Sequence, residues 1–365
     1  MTHIMTAHRQ WASRPADERF TGLVAMRDHA KAIRAASRTV VAPTRRISAA
    51  PTPDNRGMEI VTPTGARYTP THMAFGQIAA LAAAPAGYLR TLPAPIAADC
   101  VNYGLQFERG GEDAAFLLQN VGGTLTLRAA TGPRYGRIWN ADILSGLVDR
   151  FGDGTTAGTF RVPGTFGHAL EAVTRENTTL FAGDRDMFVF LADEENRIEI
   201  PNRRNGEGGS MARGFFVWNS EVGAATLGIS TFLFDYVCSN RIVWGATQYR
   251  EIRVRHTASA PDRWLDAVVP AIESYAHSSA APVQAAIAQA QAAPIDDLDA
   301  FLAGRFGKRV AVEIKRAHVA DEGRPIETLW DAVTGATAYA RGIAWQDERL
   351  EVERKAGEIL DMVAA

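Results

Sequence analysis

The chain has 365 residues, 46% hydrophobic, 22% charged and 8% aromatic, which are the proportions of a globular protein and exclude a disordered or fibrous one. At about 100–200 residues per domain it makes one large domain with appendages or two intimate ones, with a core that needs no staples. The net charge of −2 supplies no overall field toward nucleic acid or anionic lipid.

The first fifty residues nevertheless hold nine Arg or Lys against three Asp or Glu. Within them, residues 20–38 predict a helix, with Leu23, Met26, Ala30 and Ile33 at helical spacing. The Pro-rich passage 43–53 reads as a linker or extended arm. Such a basic arm either touches phosphates or is a solvated helix. Residues 58–62 predict a short strand. Thr71 is placed to cap a helix with Phe75, Ile78 and Leu81 or Ala82 facing inward. Pro95 sits where a first helical residue belongs. After it, Ile96, Cys100, Tyr103 and Phe107 form one apolar stripe, read as facing the core, with Cys100 a core residue rather than a nucleophile.

A β-rich middle follows. Residues 116–120 and 124–129 flank Gly122-Gly123, a hairpin signal. Asn140 is placed to cap a helix carrying Ile143, Leu144, Leu147, Val148 and Phe151. Asp153-Gly154 marks a turn, and strands are expected at 159–162, 177–182, 187–192 and 197–200. Residues 202–214, with four glycines and three arginines, read as a mobile loop. Next, 215–218, 226–237, 242–244 and 251–255 are apolar enough for buried sheet, a helix being the alternative for 224–238. Beyond Pro261, helices are expected over 261–292, after Asp296 or Asp297, over 308–321 and 325–341, and as a charged helix over 346–364. From residue 291 the chain carries ten basic and fourteen acidic side chains. This region reads as a helical appendage that packs on the sheet or on a neighbouring subunit. No repeat indicates a solenoid.

The two cysteines, Cys100 and Cys238, have no CxxC or Cys–His spacing, which fits a reducing compartment and excludes a disulfide framework or a thiolate zinc site. Residues 1–19 are polar and lack the apolar core of a signal peptide. No stretch approaches the roughly 20 apolar residues of a membrane span. A cytoplasmic protein with no membrane association is expected.

The common catalytic fingerprints are missing: there is no GxGxxG after a strand, no Walker loop, no HExxH and no GxSxG. No cofactor is expected. Asp184, Asp186, Asp193, Glu194 and Glu195 are read as turn and hairpin-tip acids in preference to a metal site. The arginines number 35 against four lysines, a bias that either bidentate phosphate contacts or a GC-rich coding sequence produces. Arg203, Arg204 and Arg213 stand in the Gly-rich loop, which either cradles phosphates or is plain surface. In TGPRYGRIWN (131–140), Arg134 and Arg137 alternate with Tyr135 and Trp139. Bases can stack on such rings while Arg holds phosphate, or the aromatics anchor a core. In REIRVRH (250–256), period-2 alternation sets Arg253 and Arg255 on one strand face, suited to a nucleic-acid backbone or to protecting an edge. Asn219, Glu221 and Asn240 interrupt apolar runs, where they brace a turn or form a small polar site, Glu221 being the first acid–base candidate.

Several of these stretches resemble a phage/plasmid-like protein family, domain of unknown function 932. The resemblance runs in order through AGYLRTLP (86–93), NYGL (102–105), RYGRIWN (134–140), DMFVFLAD (186–193), FFVWNSEVG (215–223), FLFDYVCSN (232–240), RHT (255–257) and TLWDAVTGATAYA (328–340). It covers about residues 70–345 and leaves out the first fifty-odd and the last twenty. It implies a passenger of mobile elements, linked to DNA metabolism by association, with no established activity. A looser similarity to single-strand annealing proteins of the Red-beta and RecT kind implies rings or filaments that hold DNA in a basic groove. Here Arg134, Tyr135, Arg137, Arg253 and Arg255 would serve that groove. The chain departs from that pattern in its net charge, since a groove binder should carry a basic surplus.

The expected architecture is α+β: a mixed, mainly antiparallel β-rich core with a helical lead-in and a helical C-terminal region. Its divisions are a basic helix and arm (1–56), the core (57–257) and the helical region (258–365). The expected function is non-enzymatic binding of single-stranded DNA by a homo-oligomer, for annealing or recombination, through Arg134, Tyr135, Arg137, Trp139, Arg203, Arg204, Arg253 and Arg255. The rivals are an enzyme acting on a nucleotide or small molecule around Glu221 and Asn240, and an assembly or host-interaction protein.

Overall fold

Helix α1 (Leu23–Ala35) buries Leu23, Met26 and Ala30 of the expected face, after a two-residue strand β1 (Arg19–Phe20). It ends before residue 38 because Thr39, Val40 and Val41 favour extended chain, and β2 (Ser37–Pro43) begins at once. Strand β3 (Ser48–Pro51) follows. The passage expected as a linker therefore supplies sheet, with Pro43 and Pro51 at strand ends, where proline is tolerated. The computed structural model describes residues 15–107, 112–155, 160–162, 173–176, 178–193, 195–204, 207–235, 240–242, 251–343 and 346–363.

Strands β4 (Met58–Val61) and β5 (Arg67–Pro70), then β6 (Asp113–Val121) and β7 (Thr124–Thr131), complete a six-stranded sheet in the order β2-β6-β7-β5-β4-β3. Its pairs are antiparallel except β5 with β7. The Gly122-Gly123 hairpin joins β6 to β7 as expected. Thr71 caps α2 (His72–Leu81), accepting the Ala74 N–H. Helix α3 (Ala86–Leu89) leads to α4 (Ala94–Phe107).

Helix α4 turns the opposite face inward from the one its apolar stripe predicts. Ala97, Ala98, Val101 and Leu105 are buried, whereas Ile96, Tyr103 and Phe107 are 51%, 64% and 73% exposed and Cys100 is also exposed. The reason is close approach. A Cβ on Gly104 would lie 2.0 Å from the Ala82 carbonyl oxygen, so only the small-residue face fits against α2 and the sheet. Gly104→Ala should therefore lower stability by about 1–3 kcal/mol through overpacking. Gly146→Ala should raise it by about 0.5–1 kcal/mol, because nothing lies within 4 Å of its Cβ position and alanine favours a helix. Urea unfolding midpoints that move in the same direction for both variants would contradict this packing.

Helix α5 (Asn140–Phe151) carries the expected apolar residues Ile143, Leu144, Leu147 and Phe151 into the core. The second sheet is built from β1, β8 (Phe160–Arg161), β9 (Leu180–Ala182), β10 (Met187–Asp193), β11 (Ile198–Arg204), β12 (Glu207–Asn219), β13 (Leu227–Asp235), β14 (Asn240–Ile242) and β15 (Glu251–Val254). Its main path is β1-β9-β10-β12-β13-β14, with β8 on β10, β11 on β12 and β15 on β13, all antiparallel. The loop expected over 202–214 is largely strand. Arg213 is buried, its guanidinium 3.4 Å from the fully buried Asp193 and its Nη1 donating to Ser278 Oγ at 2.9 Å. Gly214 makes room for the Phe232 ring, which a Cβ would strike at 1.9 Å. Gly214 serves aromatic packing across strands, which composition alone does not separate from loop glycine.

The C-terminal helices α6 (Ala260–His277), α7 (Ala281–Ala292), α8 (Leu298–Phe306), α9 (Lys308–Glu322), α10 (Leu329–Arg341) and α11 (Gln346–Leu360) match the expected segments closely. Asp297 caps α8, and a Thr328–Asp331 capping box opens α10. Leu302, Ile314, Trp330, Val333 and Ile359 share one core with Ile198, Ile200, Met211 and Leu233 of the second sheet. The helical region thus packs on the sheet. The fold is α+β, as the sequence implies. No described helix is long and apolar enough to cross a membrane.

Candidate functional site

The two sheets meet where β12 ends, at Asn219-Ser220-Glu221. A carboxylate left among apolar strands must find donors, and Glu221 has them on both oxygens. Oε2 accepts from Arg128 Nη1 of β7 at 2.9 Å, and Oε1 accepts the Asn140 backbone N–H at 2.8 Å. Arg137 Nη1 donates to the Glu221 carbonyl. Asn140 therefore does not cap α5 through its own side chain. The helix begins at Asn140, and Glu221, reaching from the other sheet, takes the N-terminal N–H with a charge that the helix dipole favours. Asn219 Nδ2 donates to Ile138 O at 2.9 Å and to Asn140 Oδ1 at 2.7 Å. Gln77 of α2 bridges the same junction, donating to Val222 O at 2.7 Å and accepting the Ala130 N–H at 2.9 Å.

Glu221 and Asn219 thus converge as expected, and their bonds brace the junction. With both oxygens held, Glu221 is a positioning group and not a free acid or base. Asn240 does not join them. It pairs with Asp235 at the far end of β13, seven residues from Gly228, which faces Trp218. At about 3.4 Å per residue that is roughly 24 Å away along the strand. The side chain of Asn240 lies outside the described residues, as do those of Arg203 and Arg204 in β11.

The aromatic turn is partly interior. Tyr135 donates its hydroxyl to Ser220 O at 2.9 Å, and burial pushes its pKa well above the ordinary value. Arg137 is buried, with its pKa lowered by that burial, and is spent on Glu221, so it is not available to phosphate as the sequence reading had it. Arg134 is exposed. On β15 the expected alternation holds: Ile252 and Val254 are half-buried, while Arg253 and Arg255 are exposed. Just beyond, His256 stacks on Tyr135 with ring centroids 4.9 Å apart and hydrogen-bonds Gly136 O through Nδ1 at 3.1 Å. Burial lowers its pKa to about 4, so the imidazole is neutral at neutral pH.

These contacts form a continuous ladder. Arg34 of α1 lies 5.4 Å over the half-buried Trp139 ring, and Arg137 lies 5.7 Å from Trp139 and 5.3 Å from Tyr135. Tyr135 then meets His256, next to Arg255. Three basic stretches far apart in sequence, in α1, the 131–140 turn and β15, are joined side by side. Such contacts between cations and rings contribute about 0.5–2 kcal/mol each.

Beside the junction a cavity of about 200 Å³ opens, lined by Arg128, Glu221, Asn140 and Gln119 and by Asp17, Glu18 and Asp184 among others. Sequence reading missed Arg128 and Gln119. The signal was present, since Arg128 is a lone charge in the apolar strand TLTLRAAT and needs a partner for the same reason as Glu221. Among the described residues no group of three or more His, Cys, Asp or Glu is arranged to hold a metal ion. Asp193 serves Arg213 and the Asn196 N–H instead, and Glu195 pairs with Arg161. Glu194 lies outside the described residues.

Fold and site together define an α+β protein of two sheets, with an arginine–aromatic ladder and a polar cavity beside one buried carboxylate junction. No protein-family model, no curated protein and no solved structure matches the chain.

Proposed function

We propose that the protein binds single-stranded DNA along the ridge from α1 to Arg255, as a non-enzymatic component of a phage- or plasmid-type system. The supporting observation is the ladder Arg34–Trp139–Arg137–Tyr135–His256, which draws three separate stretches together around aromatic rings and sets the exposed Arg255 next to them. Rings flanked by arginine offer a base a stacking surface and its phosphates a counter-charge. The buried members hold the ridge in shape, and the exposed Arg134 and Arg255 are the groups left for phosphate. Assembly into a homo-oligomer along the strand belongs to the same proposal.

Mobility of labelled single-stranded DNA across a salt series tests it. Binding should weaken as salt rises, and Arg134→Ala with Arg255→Ala should flatten the salt dependence by about one unit of slope per lost contact. Unchanged mobility at low salt, or an affinity untouched by the double variant, removes the ridge as the site. Size measurement with and without DNA reads the assembly.

A further inference from the structure

The cavity beside Glu221 has a floor and a rim of opposite character. On the floor, Arg128, Asn140 and Gln119 are 4%, 6% and 9% exposed, so each is nine-tenths or more buried. Arg128 gives one N–H to Glu221, and its remaining guanidinium donors have no acceptor among the described residues. Asn140 Oδ1 is taken by Asn219, while its Nδ2 donates to no described group. The Gln119 side-chain amide has no partner at all among them. These donor atoms are not sealed from solvent but open onto the cavity, so three largely buried side chains present donors to whatever enters it. Donors of this kind, led by a guanidinium, match a carboxylate.

The rim reverses the sign. Asp17, Glu18 and Asp184 line it, and Glu221 already cancels Arg128. His29 on the same rim is held below its ordinary pKa by burial and by Arg128 and adds no charge at neutral pH. A simple anion would meet this acidic rim, and a simple amine would leave the buried donors unmatched. A volume of 200 Å³, on the order of six or seven waters at ~30 Å³ each, is below that of a drug-sized site.

The geometry points to a binding site for a small zwitterion of the α-amino acid class, its carboxylate on Arg128, Asn140 and Gln119 and its ammonium group toward Asp17, Glu18 and Asp184. Arg134 and Arg255 do not line this cavity, so the site stands or falls separately from the DNA reading.

Isothermal titration of the full chain with each of the twenty L-amino acids tests the assignment, followed by the decarboxylated amine and the deaminated acid of any amino acid that binds. One or a few amino acids should bind, with both matched compounds at least about tenfold weaker. Gln119→Leu should weaken the amino acid about tenfold by removing a floor donor. Asp184→Asn, at an exposed position that does not endanger folding, should weaken the amino acid and leave the deaminated acid unchanged. No heat with any amino acid at about 10 mM, or a matched amine or acid that binds as well as the amino acid, overturns the proposal. If Gln119→Leu does not fold, the Asp184→Asn comparison decides alone, and an unchanged amino-acid affinity there also overturns it.

Discussion

Glu221→Ala should cost about 3–5 kcal/mol of folding stability, the scale for removing one partner of a buried ion pair and leaving the other charge unmatched. Both side chains are almost fully buried, at 5% and 2% exposure for Arg128 and Glu221. The same substitution deletes the acceptor for the Asn140 N–H, and loss of a helix N-terminal partner alone costs about 1 kcal/mol. Set against a typical total of about 5–15 kcal/mol, this is a large fraction. Glu221→Gln retains an acceptor and should lose less. Arg128→Met combined with Glu221→Leu should recover much of the loss, because neither charge is then stranded. Denaturant midpoints measure all three. A Glu221→Ala protein within about 1 kcal/mol of the parent would mean that the carboxylate does not tie the sheets together.

The same junction marks how far the sequence could be read. Periodicity located nearly every helix after residue 260 and the β6–β7 hairpin, because each is stabilised by local patterning and caps that lie within one segment. Glu221 and Asn219 stood out for a related reason, as polar residues inside apolar runs. What stayed hidden depends on partners distant in the chain. The face of α4 is chosen by Gly104 meeting Ala82, so steric fit overrode the larger apolar stripe. Residues 202–214 resemble a loop in composition, yet Gly214 is there to seat the Phe232 ring and Arg213 to pair with Asp193. Arg137 reads as a surface cation until Glu221 is seen beside it. The pairing of β2 with β6 likewise joins residues 70 to 82 positions apart, and no local signal announces it.

Topology likewise sets residues of α1, the 131–140 turn and the segment after β15 around the Trp139 and Tyr135 rings in a chain of net charge −2. Arg34 of α1 is brought onto Trp139, where it also pairs with Asp142.

Gly136→Ala is the substitution that should break the ridge without touching a charge. Gly136 donates its N–H to His256 O at 3.1 Å and accepts from His256 Nδ1, and a Cβ there would lie 1.7 Å from the Thr257 carbonyl oxygen. That obstacle is backbone, so the turn and the end of β15 must part. Overpacking of this kind costs about 1–3 kcal/mol. Released from Tyr135 and from burial, His256 should titrate closer to its ordinary value of 6.5 than to about 4, which side-chain NMR across pH reads directly. Affinity for single-stranded DNA should fall with it, since Arg134 and Arg255 no longer share one surface. Gly132→Ala, in the same turn with nothing within 4 Å of its Cβ position, should stay within about 0.5 kcal/mol of the parent and keep the His256 titration unchanged. A Gly136→Ala protein with an unmoved His256 pKa and unfolding midpoint would show that the turn and β15 are not held together through this glycine. The ladder could then no longer be treated as one surface.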